Sequence, residues 1–383
     1  MTRLLSISSS RADVGILQPV WRAAAAERDL HVLLTGMHCA ATAGDIEVPA
    51  SATLHRGGAD LAGATASEAA RAMAAVGTAT AACLDTVDPD AVLVVGDRLD
   101  MLPAATATVP YNVPLVHLHG GEITEGALDD RVRHAITKLA HLHCVSSEGA
   151  RRRLIAMGEA EARIHLTGAP GLDTLRAAPE MTAADFADAL GMRDIAGLRL
   201  VTVHPETNAK QPLAALEAVL AALDAEPLPT LFTAPNSDPG GARVRAQISD
   251  FVEQRRWASF TESLGSRLYP NALRHAALML GNSSSGLIEA GLFGLPVIDV
   301  GDRQGGREYG ANVTRVANDA TSIKAVLAGL GARPERRALV SLYGDGRSGP
   351  RVAEAWRAAA EEPGLMRKPA PVIDLPALEA SSC

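Results

Sequence analysis

The stretch AVLVVGDRLD, Ala91 to Asp100, decides the fold. Its first five residues are apolar with no polar alternation, so as a strand it is buried on both faces, the mark of a parallel sheet covered by helices. The run stops at Gly96. Asp97 and Arg98 follow, at the carboxyl end of the strand, where open α/β sheets hold their ligands. Similar runs occupy Leu4 to Ser8, Leu30 to Thr35, Leu115 to Leu118 and Leu142 to Val145, with Ala-rich or amphipathic helical text between them, notably Ser67 to Asp85 and Asp129 to Lys138. After the Gly- and Pro-rich GAPGLDTLRAAPE, Gly168 to Glu180, a second series begins. Its strands are expected at Leu198 to Val203, Thr230 to Thr233, Leu278 to Leu280 and Pro296 to Val300. The expected fold is α/β: two Rossmann-like domains facing a cleft, residues 1–178 and 179–362. The last stretch, residues 363–383, reads as an extended or poorly ordered tail.

Composition narrows the function. The chain has 383 residues, and its 47% hydrophobic and 21% charged content is enough to build two cores and too apolar for disorder. Only 3% is aromatic, which argues against a base-stacking nucleic-acid binder. The net charge of -8 has the wrong sign for binding a phosphate polymer. A small anion is still allowed, because helix N-termini and a few Arg side chains can meet one or two phosphates locally. Cys39, Cys83, Cys144 and Cys383 are widely spread, without metal-ligand or disulfide-framework spacing. No stretch approaches the ~18 apolar residues of a membrane span, and the N-terminal apolar run is too short for a signal peptide. A soluble, cytoplasmic protein is expected.

Several strings carry chemistry. GNSSSG, Gly281 to Gly286, follows an apolar strand and opens a helix, so Asn282, Ser283, Ser284, Ser285 and Gly286 present an anion site. Glu289, nearly one turn on, is placed to accept from ribose hydroxyls. GDRQGGRE, Gly301 to Glu308, adds Arg303 and Arg307, two guanidinium groups able to clamp a diphosphate. LVHLHGGEITEGALDD puts His117, His119, Glu122, Asp129 and Asp130 on a strand end and its loop, and carboxylates gathered there can be pushed to different pKa values, one acid and one base. The HLH pair invites a metal reading, but no third His follows at suitable spacing, and no metal or cofactor is expected. RHAITKLAHLH adds Arg133, His134, Lys138, His141 and His143, read mainly as structural polar contacts. His204, in VTVHPETN, ends the first strand of the second half and can donate to a phosphate. Arg11, in SSSRADVG, follows the first strand of the chain.

Taken together, SRADVG, GMH (Gly36 to His38), GDR, HLHGGE, RHAITKLAHLH, GAPGLD, HP, GNSSSG and GDRQGGR resemble the hydrolysing branch of the UDP-N-acetylglucosamine 2-epimerases, over roughly residues 5–315. The resemblance implies a glycosyltransferase-B type architecture with the nucleotide on the second domain. It implies Ser284, Ser285, Gly286, Arg303 and Arg307 for the diphosphate, Glu289 for the ribose and, with so few aromatic residues, uracil recognition by backbone groups and Tyr269. Asp97, Glu122 and Asp129 or Asp130 become the catalytic carboxylates, His204 assists the leaving diphosphate, and Arg11, His38 and Arg98 line the site. The implied reaction eliminates UDP through a 2-acetamidoglucal and then adds water, giving N-acetylmannosamine for sialic acid or a related nonulosonic acid. It also implies a homo-oligomer, dimer or tetramer. Glu206 departs from the family pattern, as do Asp13 and Val14, which leaves the sugar open: a 2,4-diacetamido-trideoxy sugar would use the same core. A non-hydrolysing 2-epimerase and a catalytically silent nucleotide-sugar sensor are the competing readings.

Overall fold

The structure is a computed structural model that describes residues 2–26, 29–40, 46–60, 65–124, 128–206, 209–236, 240–337 and 341–369. Among the described residues the chain forms two all-parallel sheets in two compact units. Unit 1 comprises residues 1–122, 128–167 and 350–383, and unit 2 residues 123–127 and 168–349.

Unit 1 holds β1 (Arg3–Ser8), β2 (Asp29–Leu34), β3 (Thr53–Arg56), β4 (Ala91–Val95), β5 (Leu115–Leu118), β6 (Leu142–Val145) and β7 (Ile164–Leu166), in the order β3-β2-β1-β4-β5-β6-β7. The helices α1 (Arg11–Ala25), α2 (Ala66–Val87), α3 (Met101–Ala107) and α4 (Leu128–Leu139) are among those that connect the strands. β4 is buried at every residue, as its sequence requires. α1 starts where it does because Ser10 and Asp13 form a reciprocal capping box. Trp21 on α1 is fully buried, its indole N–H donating to Ser6 Oγ at 2.8 Å, so this large ring enters the core without an orphaned donor.

Unit 2 holds β8 (Arg199–Thr202), β9 (Thr230–Thr233), β10 (Ala258–Thr261), β11 (Leu278–Gly281), β12 (Val297–Val300) and β13 (Val313–Val316), in the order β10-β9-β8-β11-β12-β13. In both units the strand order reverses beside the first strand, between β1 and β4 and between β8 and β11. Loops leaving the carboxyl ends of those strands diverge there and leave room for a ligand. Those loops carry most of the sequence candidates.

The division of the chain differs from the expected one. The crossing falls at Thr167/Gly168, so residue 178 lies inside unit 2. The chain returns to unit 1 at Pro350, where Val352, Trp356 and Ala359 pack into the core around β1 and β4. Part of the expected tail is also packed: Leu365 is fully buried, and Lys368 donates to the carbonyls of Thr137, Lys138 and Ala140 at 3.1, 3.0 and 2.8 Å, which caps the end of α4. The remainder of that tail, residues 370–383 with Cys383, lies outside the described residues. Cys39, Cys83 and Cys144 are free thiols. No described helix is long and apolar enough to cross a membrane.

Candidate active site

In unit 2 the loops after β8 and β11 are stitched together by one side chain. Asn282, fully buried, accepts from the His204 backbone N–H at 2.7 Å and donates to the His204 carbonyl at 2.9 Å. The Asn236 N–H donates to His204 Nδ1 at 3.0 Å. A neutral imidazole that accepts at Nδ1 carries its proton on Nε2, which makes it a donor to an anion.

A cavity of about 480 Å³ opens beside this stitch, and His204, Tyr269, Ser283, Ser285 and Glu289 share its wall with Thr202 and Thr233. Five of the sequence candidates thus meet on one surface. The Tyr269 hydroxyl donates to Glu289 Oε2 at 2.5 Å. Burial pushes the Glu289 carboxyl up, and the Tyr269 hydrogen bond opposes it; burial and then the Glu289 charge push the Tyr269 phenol well up. The wall also includes the segment Glu262 to Ser266, which the sequence did not single out. Its polar text looks like any surface turn until the fold brings it beside Tyr269.

The helix opened by GNSSSG is short, Ser284–Ile288, followed by a 3-10 turn. Its macrodipole is correspondingly small, so an anion here is met mainly by local N–H groups and hydroxyls. Ser283 caps the turn, its hydroxyl 2.9 Å from that of Ser285. Arg303 Nη1 donates to the Asn282 carbonyl at 3.4 Å, and Gln304 Nε2 donates to the same oxygen at 2.9 Å. Gln304, missed in the sequence, ties the Arg-bearing loop to the Ser-rich one. Arg307 lies on that same loop, half-buried, and neither Arg is among the residues lining the cavity.

Gly281 is required at the start of this loop. It has φ +141°, and an added Cβ would lie 1.9 Å from the Thr202 carbonyl oxygen on β8. Gly281→Ala should therefore force β8 and β11 apart and cost more than about 3 kcal/mol. A lowered urea midpoint is expected; an unchanged midpoint would contradict the close approach.

Unit 1 gathers its carboxylates around one buried cation. Arg133, 3% exposed, pairs with Asp97 and with Asp130, the latter at 2.5 Å, and donates to the Glu122 carbonyl at 2.6 Å. Asp97 comes from the end of β4, Asp130 and Arg133 from α4, and Glu122 from the loop after β5. Glu122 Oε1 lies 2.6 Å from His119 Nδ1 and accepts from Ser146 Oγ at 2.7 Å. His119 holds φ +65°, an uncommon left-handed conformation that turns its ring onto this carboxylate. Asp129, the neighbour of Asp130, has its carboxyl pushed up by burial, with the Arg98 charge opposing and the Asp130 charge adding to the shift. The sequence presented Asp129 and Asp130 as equals; the fold gives them different surroundings.

Other candidates turn inward. His117 is fully buried between the Gly96 carbonyl, 2.8 Å from Nε2, and Thr137 Oγ1, 3.2 Å from Nδ1. Burial holds its pKa down to about 3. It braces β5 against the start of the Asp97 loop. His38, expected to line the ligand site, is only 4% exposed and bonds Ser8 Oγ at 2.9 Å, with its pKa lowered to about 4, first by burial. It supports the β1 loop from behind. Arg98 bridges that loop, with Nε donating to Ser9 Oγ at 3.2 Å and lying 3.3 Å from Asp100. Arg11 is exposed in the first turn of α1. Asp13, one of the departures from the family pattern, accepts from the Ser9 and Ser10 N–H groups at 2.7 and 2.8 Å and is spent on capping.

These two loop clusters can be set beside known proteins. The sequence model of the UDP-N-acetylglucosamine 2-epimerases matches residues 22–357. The chain belongs to this family. A UDP-N,N'-diacetylbacillosamine 2-epimerase (hydrolyzing) of Legionella pneumophila is 35% identical over 358 residues, covering 91% of this chain and 94% of that protein. A UDP-N-acetylglucosamine 2-epimerase of Neisseria meningitidis serogroup B is 30% identical over 317 residues, 82% of this chain and 83% of the relative. The structure of UDP-GlcNAc 2-epimerase from Methanocaldococcus jannaschii shares the fold, with a TM-score of 0.74 at 18% identity over 93% of this chain and all of that one. Membership of the 2-epimerase family and the α/β architecture thus agree with the resemblance carried by the sequence motifs.

Proposed function

We propose that the chain is a hydrolysing 2-epimerase that takes a UDP-linked 2-acetamido sugar to UDP and the free C2-epimer. The carboxylate array around Arg133, in a member of this family, is the observation that carries the reading. The C2–H bond of such a sugar is not activated by a carbonyl. If the C1–O bond breaks ahead of it, C1 becomes oxocarbenium-like and C2–H becomes acidic. Asp97 and Asp130, paired with Arg133, supply negative charge beside the developing cation. Glu122 takes the C2 proton, and the C1–O electron pair leaves with UDP, giving a 2-acetamidoglucal. The charge on the departing diphosphate is met by His204, Arg303, Arg307 and the N–H groups of Ser284 to Gly286, with Glu289 on the ribose. Glu122 gives its proton to solvent and then accepts one from the water that adds at C1, while Asp129 protonates C2 from the other face.

For the substrate, the Legionella relative's name favours UDP-N,N'-diacetylbacillosamine, a 2,4-diacetamido-trideoxy sugar nucleotide, over UDP-N-acetylglucosamine, whose product would be N-acetylmannosamine. Either product suits nonulosonic or sialic acid synthesis in the cytoplasm. The family resemblance supports a homo-oligomer, dimer or tetramer, working without a metal or cofactor. Incubation with each nucleotide in D2O tests this. The expected result is UDP and a free C2-epimer carrying one deuterium at C2, formed faster from the diacetamido substrate. An epimer still attached to UDP would assign the non-hydrolysing reaction, and UDP binding without turnover of either substrate would assign a sensor.

The acid role has its own pH signature. Asp129 must be protonated to donate, and burial moves its carboxyl above its ordinary 3.8, so the protonated fraction extends to higher pH. Turnover should therefore fall as pH rises through that raised value. Asp129→Asn should remove this limb and cost about 10²-fold in kcat. An unchanged profile in the variant would exclude Asp129 as the donor.

A further inference from the structure

Unit 2 contains a second cavity, of about 290 Å³, lined by Arg176, Glu180, Arg274, Leu292, Phe293 and Arg336. None of these residues takes part in the nucleotide reading above. Three of the six are arginines, and each guanidinium is held in place by backbone carbonyls. Arg336 donates to Phe293 O and Leu273 O, both at 2.9 Å; Arg274 Nη2 donates to Ala178 O at 3.0 Å; Arg176 Nη1 donates to Asp345 O at 2.5 Å. Carbonyls orient a guanidinium but leave its unit charge uncompensated. Among the described residues of the lining Glu180 is the one carboxylate, 3.6 Å from Arg274 Nε, and its side chain is 81% exposed, so solvent screens it. Arg274 Nη1 is buried with no hydrogen-bond partner among the described residues. A buried donor of this kind is costly unless something accepts from it. Burial lowers the Arg336 pKa, the expected response of a cation taken from water without a counter-charge.

We propose that this cavity binds a phosphate dianion, free or as a small phosphate monoester, with Arg176, Arg274 and Arg336 as its ligands. Phosphate suits the site because its oxygens each accept from more than one guanidinium donor, and preorganised Arg forks lose little freedom on binding. Leu292 and Phe293 offer an apolar wall for the carbon chain of an ester. The proposal stands apart from the epimerase reading and would hold under either outcome of its test.

Titration of inorganic phosphate and of glycerol 3-phosphate into the full-length, UDP-saturated protein, followed by phosphorus NMR, tests it. Both ligands should bind while UDP is held. Arg176→Glu should weaken both by about tenfold or more, and Glu180→Gln should tighten both, with the UDP affinity changed less than about twofold in either variant. Arg176 and Glu180 are exposed, so both variants should fold. Tighter binding of glycerol 3-phosphate would identify an ester as the ligand, and tighter binding of inorganic phosphate the free ion. Wild-type phosphate affinity in Arg176→Glu would overturn the proposal, as would displacement of phosphate by UDP. Failure of UDP to bind at all would count against the epimerase reading alone, since the Arg176 and Glu180 arms report on this cavity without it.

Discussion

Glu122→Gln should lower turnover by about two to four orders of magnitude and leave UDP affinity near that of the wild-type protein. Gln has almost the shape of Glu, and its amide oxygen can still accept from Ser146 Oγ, which now lies 2.7 Å from Glu122 Oε1. The backbone carbonyl of residue 122, which Arg133 Nη1 bonds, is unchanged. The loop should therefore persist while the group proposed to take the C2 proton is gone. UDP affinity is expected to hold because His204, Tyr269, Ser283, Ser285 and Glu289 belong to unit 2, whereas Glu122 belongs to unit 1. Steady-state turnover and a UDP titration on the same preparation check both halves. Near-normal turnover would remove Glu122 from the mechanism; lost UDP affinity would show that the substitution disturbs more than proton transfer.

The largest stability effect is expected at Glu159. Its side chain is 2% exposed and pairs with Lys138 at 2.8 Å, Lys368 at 2.8 Å and His143 Nε2 at 3.1 Å. Burial pushes its carboxyl up, but hydrogen bonds from His143, Lys138 and Lys368 together outweigh burial and hold it at about 2. Glu159→Gln removes the charge that Lys138 and Lys368 face, and breaking a buried pair in this way costs about 3–5 kcal/mol. The pH dependence follows from the sign of the shift. A carboxyl held below its ordinary 4.5 contributes stability that is fully present above that pH and is lost as pH falls through about 2. The gap between wild type and Glu159→Gln should therefore narrow on acidification. Urea unfolding at neutral and acid pH measures it, and a difference below about 0.5 kcal/mol at neutral pH would contradict the network. Lys368 also caps the end of α4, the helix that carries Asp129, Asp130 and Arg133, so some of this loss should appear as reduced activity.

Much of the fold was legible because its central strands are written as apolar runs. AVLVV, LVHL and LHCV are short, apolar for most of their length and buried at every residue, so their text had one economical reading. The edge strands β3 and β13 were not legible. They pair on one side, TLHR is largely exposed and VTRV is buried only at Val313, so no apolar run marks them. The motif-bearing loops were legible for the same reason as the central strands, since they directly follow them.

By itself the sequence determined the α/β class, the family and the loops from which Asp97, Glu122, His204, Ser285 and Glu289 come, because each depends on residues close together in the chain. Only the tertiary structure decided that Arg133 takes Asp97 and Asp130, that Asp129 is left with a raised pKa, and that Asp13 and His38 turn inward. It alone joined Lys368 to Glu159 and gathered Arg176, Arg274 and Arg336 around one cavity. The physical reason is that charge pairing and desolvation act through distance in space. A residue's text says what it can donate or accept, but its neighbours across the fold set which proton it keeps and which partner it meets.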